Sequence, residues 1–327
     1  METSLLDFSR GTDQVSLVAI GACIVLGFIF GSLVKVTNRT TGTEERSVMG
    51  GVEAAVLTLI GAMLARLFIW LLMLGLDDPA DGSVLLGHLF FLIPAVVDDF
   101  IALGGDRVLT APDGLLMLAT VIGAATGMMA GIWRIHNWKG IGLLAFPVDV
   151  TWGLAGQNYG VLLHLINFAW GKHGHESRTE GHRYASGFRL KPTYAFTQGA
   201  VMSNLPDLPG TDLFRHEMTH VWQNRGFGPF YSLTYIAWMI VWFLPGLIAG
   251  LSKKKADGTK VGAGVGIERM CYVNCPWEVW AYEVQGLDRT LLDGPELIWS
   301  AVPVVIAAIL VCGSVAAIGI ALFVLAL

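Results

Sequence analysis

The sequence predicts a mainly α-helical, polytopic membrane bundle that carries a small polar part with short strands. Three observations lead there. Hydrophobic residues fill 54% of the 327 positions and charged residues only 14%, against about 25% charged in an ordinary soluble domain. The apolar residues fall in long runs, and about 20 in succession are what a helix needs to cross roughly 30 Å of hydrocarbon. Between 171 and 225 the composition turns polar and collects most of the histidines. The net charge of −5 is of mixed sign without a basic stripe, so no nucleic-acid partner is expected.

The elements follow in order. The N-terminal residues set Glu2, Asp7 and Asp13 against Arg10, and the apolar run behind them is too long for the core of a cleavable signal, so the first span, 15–36, reads as retained. A polar loop with Arg39 and Arg46 leads to a second span, 51–76, with Arg66 inside it. A charge at that depth is costly and is expected to face protein, water or headgroups. After Asp77, Asp78 and Asp81, the run 83–97 is short of a full crossing and ends in Asp98-Asp99. It reads as a re-entrant piece or as a span that borrows loop residues, and the two acids as helix caps or as the lining of an aqueous path. A Gly- and Ala-rich span, 112–135, is built for close packing, with Arg134, His136 and Lys139 at its end. The run 140–170 is interrupted by Pro147, Asp149, Gln157 and Asn158, which predicts one tilted helix or two half-helices.

The five segments of the organisation are then membrane helices over 1–170, a polar segment over 171–228, a re-entrant or interfacial apolar segment over 229–251, a second polar segment over 252–296, and a C-terminal span over 297–327. Within 171–228, the stretches 184–190 and 194–197 read as a strand pair across Lys191-Pro192. His173, His175 and His182 read as a solvated loop rather than a second metal site; His88 and His164 read as hydrogen-bonded core residues. Positive residues collect after the first span, near 135 and after 251, which leans those stretches towards the cytoplasm. The whole describes an integral protein of a plasma or inner membrane.

One motif carries chemistry. His216-Glu217-Met218-Thr219-His220 is an HExxH sequence, a pattern of zinc-dependent hydrolases when it lies on a helix. Pro209-Gly210 breaks the chain before it, Thr211 or Asp212 can cap a helix start, and Gly226 offers a stop. Residues four apart stack on one helix face, so both imidazoles can point at one ion. A divalent ion there lowers the pKa of a ligating water towards about 7, and Glu217, beside the ligand line, is placed to take the proton.

A catalytic zinc site needs a third protein ligand and one open position. Glu278 is the leading candidate. Pro276 suits the first turn of a helix and Gly286 ends it, which puts Glu278 near the start of a second helix. Glu268 and Glu283 are the rivals, one without recognisable context and the other on a different helix face. The two motifs flank the run 229–251, and a single crossing would part them by about 30 Å. Pro245-Gly246 is expected to break that run, giving a re-entrant or interfacial helix, or else a steeply buried one whose following loop folds back, with the metal near the membrane surface. Cys271 and Cys275 form only a weak metal pattern.

HExxH followed by Glu278-Val279-Trp280-Ala281 resembles the gluzincin metallopeptidases, in particular the membrane-bound class that includes the CAAX prenyl endopeptidases and the bacterial heat-shock protease HtpX. The resemblance covers these two motifs and the mix of spans with a polar part. It implies a zincin-like catalytic part, zinc held by His216, His220 and Glu278, Glu217 as general base, and a peptide or membrane-protein segment as substrate. That family usually places Asp after the Ala, as support for a histidine ligand. Here Tyr282 stands there, a candidate for second-sphere or oxyanion contact. The competing expectation is an accessory membrane subunit whose zinc is structural, with a larger membrane complex and the lipid itself as partners. A transporter or channel ranks behind both, because no inverted repeat is present.

Overall fold

The computed structural model describes residues 11–37, 42–76, 79–255, 258–292 and 294–297. The expected C-terminal span lies outside these residues beyond its first position. In chain order the helices are α1 (Gly11–Leu33), α2 (Val48–Leu74), α3 (Pro79–Phe90), α4 (Leu92–Ala102), α5 (Pro112–Ile132), α6 (Gly142–Asp149), α7 (Leu154–Trp170), α8 (Asp212–Phe227), α9 (Pro229–Ser252), α10 (Ala263–Glu268) and α11 (Pro276–Gln285). The strands are β1 (Val36–Thr37), β2 (Glu44–Glu45), β3 (Lys172–His173), β4 (His182–Ser186), β5 (Phe196–Gln198) and β6 (Val201–Ser203). Helices α1, α2, α5 and α9 are long and apolar enough to cross a membrane. The chain divides into two compact units that part between Pro206 and Asp207.

In the first unit α1, α2 and α5 pack through glycine. A Cβ on Gly31 would lie 2.6 Å from the Gly50 carbonyl oxygen, one on Gly61 2.3 Å from that of Gly123, and one on Gly127 2.0 Å from that of Leu57. Glycine at these positions is what allows such close backbone approach between helices. Arg66 is paired inside this bundle: its Nη2 donates to Asp13 Oδ1 at 2.8 Å, and both side chains are buried.

The run at 83–97 is a helix–break–helix. Helices α3 and α4, of 12 and 11 residues, meet at Phe91, and neither reaches the length of a crossing. Asp98 is buried and accepts from the backbone N–H groups of Val108, Leu109 and Thr110 and from the Thr110 hydroxyl, so it caps the loop that enters α5. Asp99 pairs with Arg107 and with His88. The run at 140–170 takes the half-helix form, α6 and α7, parted by residues 150–153.

A four-stranded sheet of order β3-β4-β6-β5 follows α7. The expected strand pair across Lys191-Pro192 does not form. Strand β6 lies between β4 and β5, pairing parallel with the first and antiparallel with the second. The tight turn is Gly199-Ala200, where Gly199 has φ +55, the conformation that a two-residue hairpin asks of its glycine. Nor do all three histidines of the polar stretch form a solvated loop. His182 is buried on β4, its Nε2 lies 3.2 Å from His173 Nδ1, and both rings stack on Trp133. Burial without a counter-charge pushes both imidazoles below their ordinary pKa, that of His173 to about 4. The rings are neutral and pack as aromatics; of the three, His175 is the exposed one.

In the second unit α9 runs unbroken for 24 residues through Pro245, so the expected break at Pro245-Gly246 is corrected. Proline removes one N–H, a loss that apolar helices absorb by small local adjustments. The chain turns instead after Ser252, where Lys254 bridges Lys260 and Val261 N donates to Lys253 O at 3.1 Å. It then returns along α9 by glycine contacts: a Cβ on Gly250 would meet the Gly262 carbonyl at 2.4 Å, and one on Gly266 the Gly246 carbonyl at 2.4 Å.

Candidate metal centre

Helix α8 carries the HExxH residues. Thr211 caps it, its hydroxyl accepting from Phe214 N at 3.4 Å. The helix passes the expected stop at Gly226 and ends at Gly228, which has φ +53. Helix α11 starts with Pro276 and closes on Gly286 in the left-handed conformation, as its sequence signals ask. Between them α9 leads away and the return segment leads back. The return is fastened by Trp238 Nε1 donating to Met270 O at 3.0 Å and the Cys271 thiol to Met239 O at 3.4 Å. A π turn over Arg269–Val273, closed by Asn274 N on Arg269 O, delivers the chain to α11; such turns recur at functional sites. Phe227, Tyr231, Cys275 and Trp277 form the apolar floor that locks α8, α9 and α11 together.

The outcome is a buried group that could hold a metal ion: His216, His220 and Glu278, whose ligand atoms lie within 4.8 Å of one another. His216 Nε2 is 3.2 Å from Glu278 Oε2, His220 Nε2 is 3.3 Å from Glu278 Oε1, and the two Nε2 atoms are 3.3 Å apart. Zinc bonds of about 2.0–2.1 Å at tetrahedral angles set ligand atoms about 3.3–3.4 Å apart, so this triangle has the span of three ligands on one ion. Glu278 Oε2 has no hydrogen-bond donor although it is buried, a further fit to a cation. Of the three carboxylates weighed, Glu278 is the one that belongs to the group that could hold an ion. Among the described residues no cysteine joins the group; Cys275 lies in the apolar floor.

Hydrogen bonds fix how His220 faces the site. Gln223 Nε2 donates to Trp277 O at 2.9 Å, which turns Gln223 Oε1 to His220 Nδ1 at 2.8 Å. His220 Nδ1 therefore carries a proton, and Nε2 is the nitrogen turned to the centre. Tyr235 donates to Glu278 Oε1 at 2.8 Å, and the Tyr231 hydroxyl lies 3.3 Å from His220 Nδ1. These three residues carry no motif signal, yet Gln223 is one turn beyond His220 on the same face, a spacing by which it could have been found. Gln223 supplies the histidine support that the resemblance assigns to an acid after Ala281. Tyr282 instead packs on His216, ring centroids 4.7 Å apart, and His216 Nδ1 is buried without a hydrogen-bond partner. Arg225 lies over the Trp222 ring, 4.6 Å from its centroid.

Burial opposes charge here, but the pair wins. Desolvation alone would lower the pKa of His220; the adjacent Glu278 carboxylate overrides it and raises it to about 9, and the histidines in turn hold Glu278 well below the usual carboxylate range. Glu217 is 4% exposed and its charge acts on His220. The donor set of two imidazoles and one carboxylate, with a further carboxylate beside it, can bind a borderline divalent ion and accept a proton next to it. Comparisons with family models, curated proteins and solved structures found no match for this chain.

Proposed function

We propose that this chain is a membrane-embedded zinc metallopeptidase that hydrolyses peptide or membrane-protein segments near the bilayer surface. The observation that carries the reading is the ligand triangle of His216, His220 and Glu278 with Glu217 buried beside it. Bound zinc would supply Lewis acidity towards a water and a scissile carbonyl. Glu217 would take the proton and pass it to the leaving amine. Gln223, Tyr231 and Tyr235 would hold His220 and Glu278 in place. The site borders the first turns of α9, a helix long and apolar enough to span, which supports a substrate arriving at the membrane surface. Purified chain in detergent is expected to cleave an unfolded model protein such as casein. Glu217→Gln should abolish cleavage while one equivalent of zinc stays bound, and a Glu217→Gln chain as active as the parent would overturn the proposal.

Burial favours one rival. His216, Glu217, His220 and Glu278 are each no more than 5% exposed, as in a closed structural centre. A non-catalytic accessory subunit would lose thermal stability on zinc removal and show no cleavage that depends on Glu217.

A further inference from the structure

The turn that follows α9 gathers positive charge. Between 252 and 262 the chain holds Lys253, Lys254, Lys255 and Lys260 against one acid, Asp257, which lies outside the described residues. All four lysines are exposed. The backbone beneath them is a hydrogen-bonded hairpin rooted on α9. Val261 N donates to Lys253 O at 3.1 Å, Lys255 N to Thr259 O at 2.7 Å, and Gly262 N back to Gly250 O at 2.9 Å. Lys254 and Lys260 are antiparallel bridge partners, so their side chains leave the same face with Cβ atoms about 4.5–5.5 Å apart. Like charges directly opposite one another destabilise a strand pair. Among the described residues neither ammonium meets a carboxylate, and a bound anion would remove the cost of holding the two together.

Depth along α9 identifies the anion. Ile240, Leu244, Ile248 and Leu251 are each more than half exposed, and their spacing of four, four and three sets them on one face of the helix. This apolar stripe ends two residues before Lys253. With the stripe in hydrocarbon, the lysines fall in the headgroup layer, their stems along apolar surface and their ammonium groups among phosphates. We propose that the hairpin 252–262 is a docking surface for anionic phospholipid headgroups, with Lys254 and Lys260 clasping one phosphate between them. A lysine ammonium binds phosphate as a compact point charge with three donors, and each lysine at an anionic surface strengthens the attachment about fivefold. The surface uses no residue of the metal centre, so it stands apart from the proposed peptidase activity.

The test is lipid competition on the full chain in detergent. Native mass spectrometry reads the first lipid bound from an equimolar mixture of phosphatidylglycerol and phosphatidylcholine with the same acyl chains, so that headgroup charge is the difference. Wild type is expected to favour phosphatidylglycerol. Lys254→Gln/Lys260→Gln should weaken that preference by about 25-fold, at about fivefold for each lysine, with the helical circular dichroism unchanged. Lys172→Gln/Lys191→Gln removes as much charge from exposed residues elsewhere and should leave the preference near wild type. Equal uptake of the two lipids by wild type overturns the proposal. So does a preference that Lys254→Gln/Lys260→Gln leaves intact, or one that the Lys172→Gln/Lys191→Gln chain loses equally. Thermal stabilisation by inorganic phosphate equal to that by phosphatidylglycerol, and lost in Lys254→Gln/Lys260→Gln, would make the pair a site for a free anion and overturn the lipid assignment.

Discussion

Replacing Gln223 by leucine tests the architecture of the metal centre rather than its ligands. Gln223 touches no ion ligand position itself. It joins Trp277 O on α11 to His220 Nδ1 on α8 by bonds of 2.9 and 2.8 Å. Leucine keeps the volume and removes both bonds, so His220 loses the acceptor that fixes its tautomer and ring angle, and only the Tyr231 hydroxyl remains, 3.3 Å from Nδ1. Loss of such outer support costs about 10–100-fold in metal affinity, or about 1.4–2.7 kcal/mol. The Trp277 carbonyl also loses its donor from Gln223, a penalty to folding of about 1–3 kcal/mol. Zinc affinity measured by competition with a chromophoric chelator, at one pH and in one detergent, reads the first effect. Glu217→Gln is the control that leaves affinity near wild type. A folded Gln223→Leu chain that binds zinc as tightly as wild type refutes the claim that this amide positions His220.

Other outcomes follow from the fold. Gly127→Ala puts a Cβ 2.0 Å from the Leu57 carbonyl oxygen; α2 and α5 must separate, and thermal stability in detergent should fall by about 1–3 kcal/mol. Arg66→Ala strands Asp13 in the bundle and should cost about 3–5 kcal/mol, whereas Arg66→Met with Asp13→Leu should recover most of it; unfolding monitored by circular dichroism distinguishes them. Burial pushes the Asp98 carboxyl up, but the Thr110 hydroxyl and three backbone N–H groups outweigh it and hold it at about 2. Its folded pKa is thus below its unfolded one, so its contribution is full above about pH 4 and fades as pH falls through 2. Asp98→Asn should flatten that acid limb of a stability-versus-pH curve.

Legibility in the sequence followed the range of the interactions. The HExxH pair, the cap at Thr211, Pro276 and Gly286 are local signals, and α8 and α11 follow them. Glu278 could be chosen over Glu268 and Glu283 because its helix start was marked. The path between the motifs was readable only as alternatives, a break at Pro245 or a loop that folds back after the helix, because Pro245 marks a break only if nothing compensates for its missing N–H, and the return is set by glycine pairs distant in sequence. The sheet was misread for a related reason: β6 is three residues long, too short for an alternating pattern to declare itself. His182 looked solvated because its partners His173 and Trp133 meet it only in the folded chain. Gln223 was missed because a neutral amide carries no motif, although it does the work expected of an acid.

The most direct measurement is the metal content of the purified chain set beside that of His220→Ala. One ion held by His216, His220 and Glu278 requires that His220→Ala lose one equivalent of zinc per chain while the helical circular dichroism is unchanged. Equal zinc in the two proteins would contradict it.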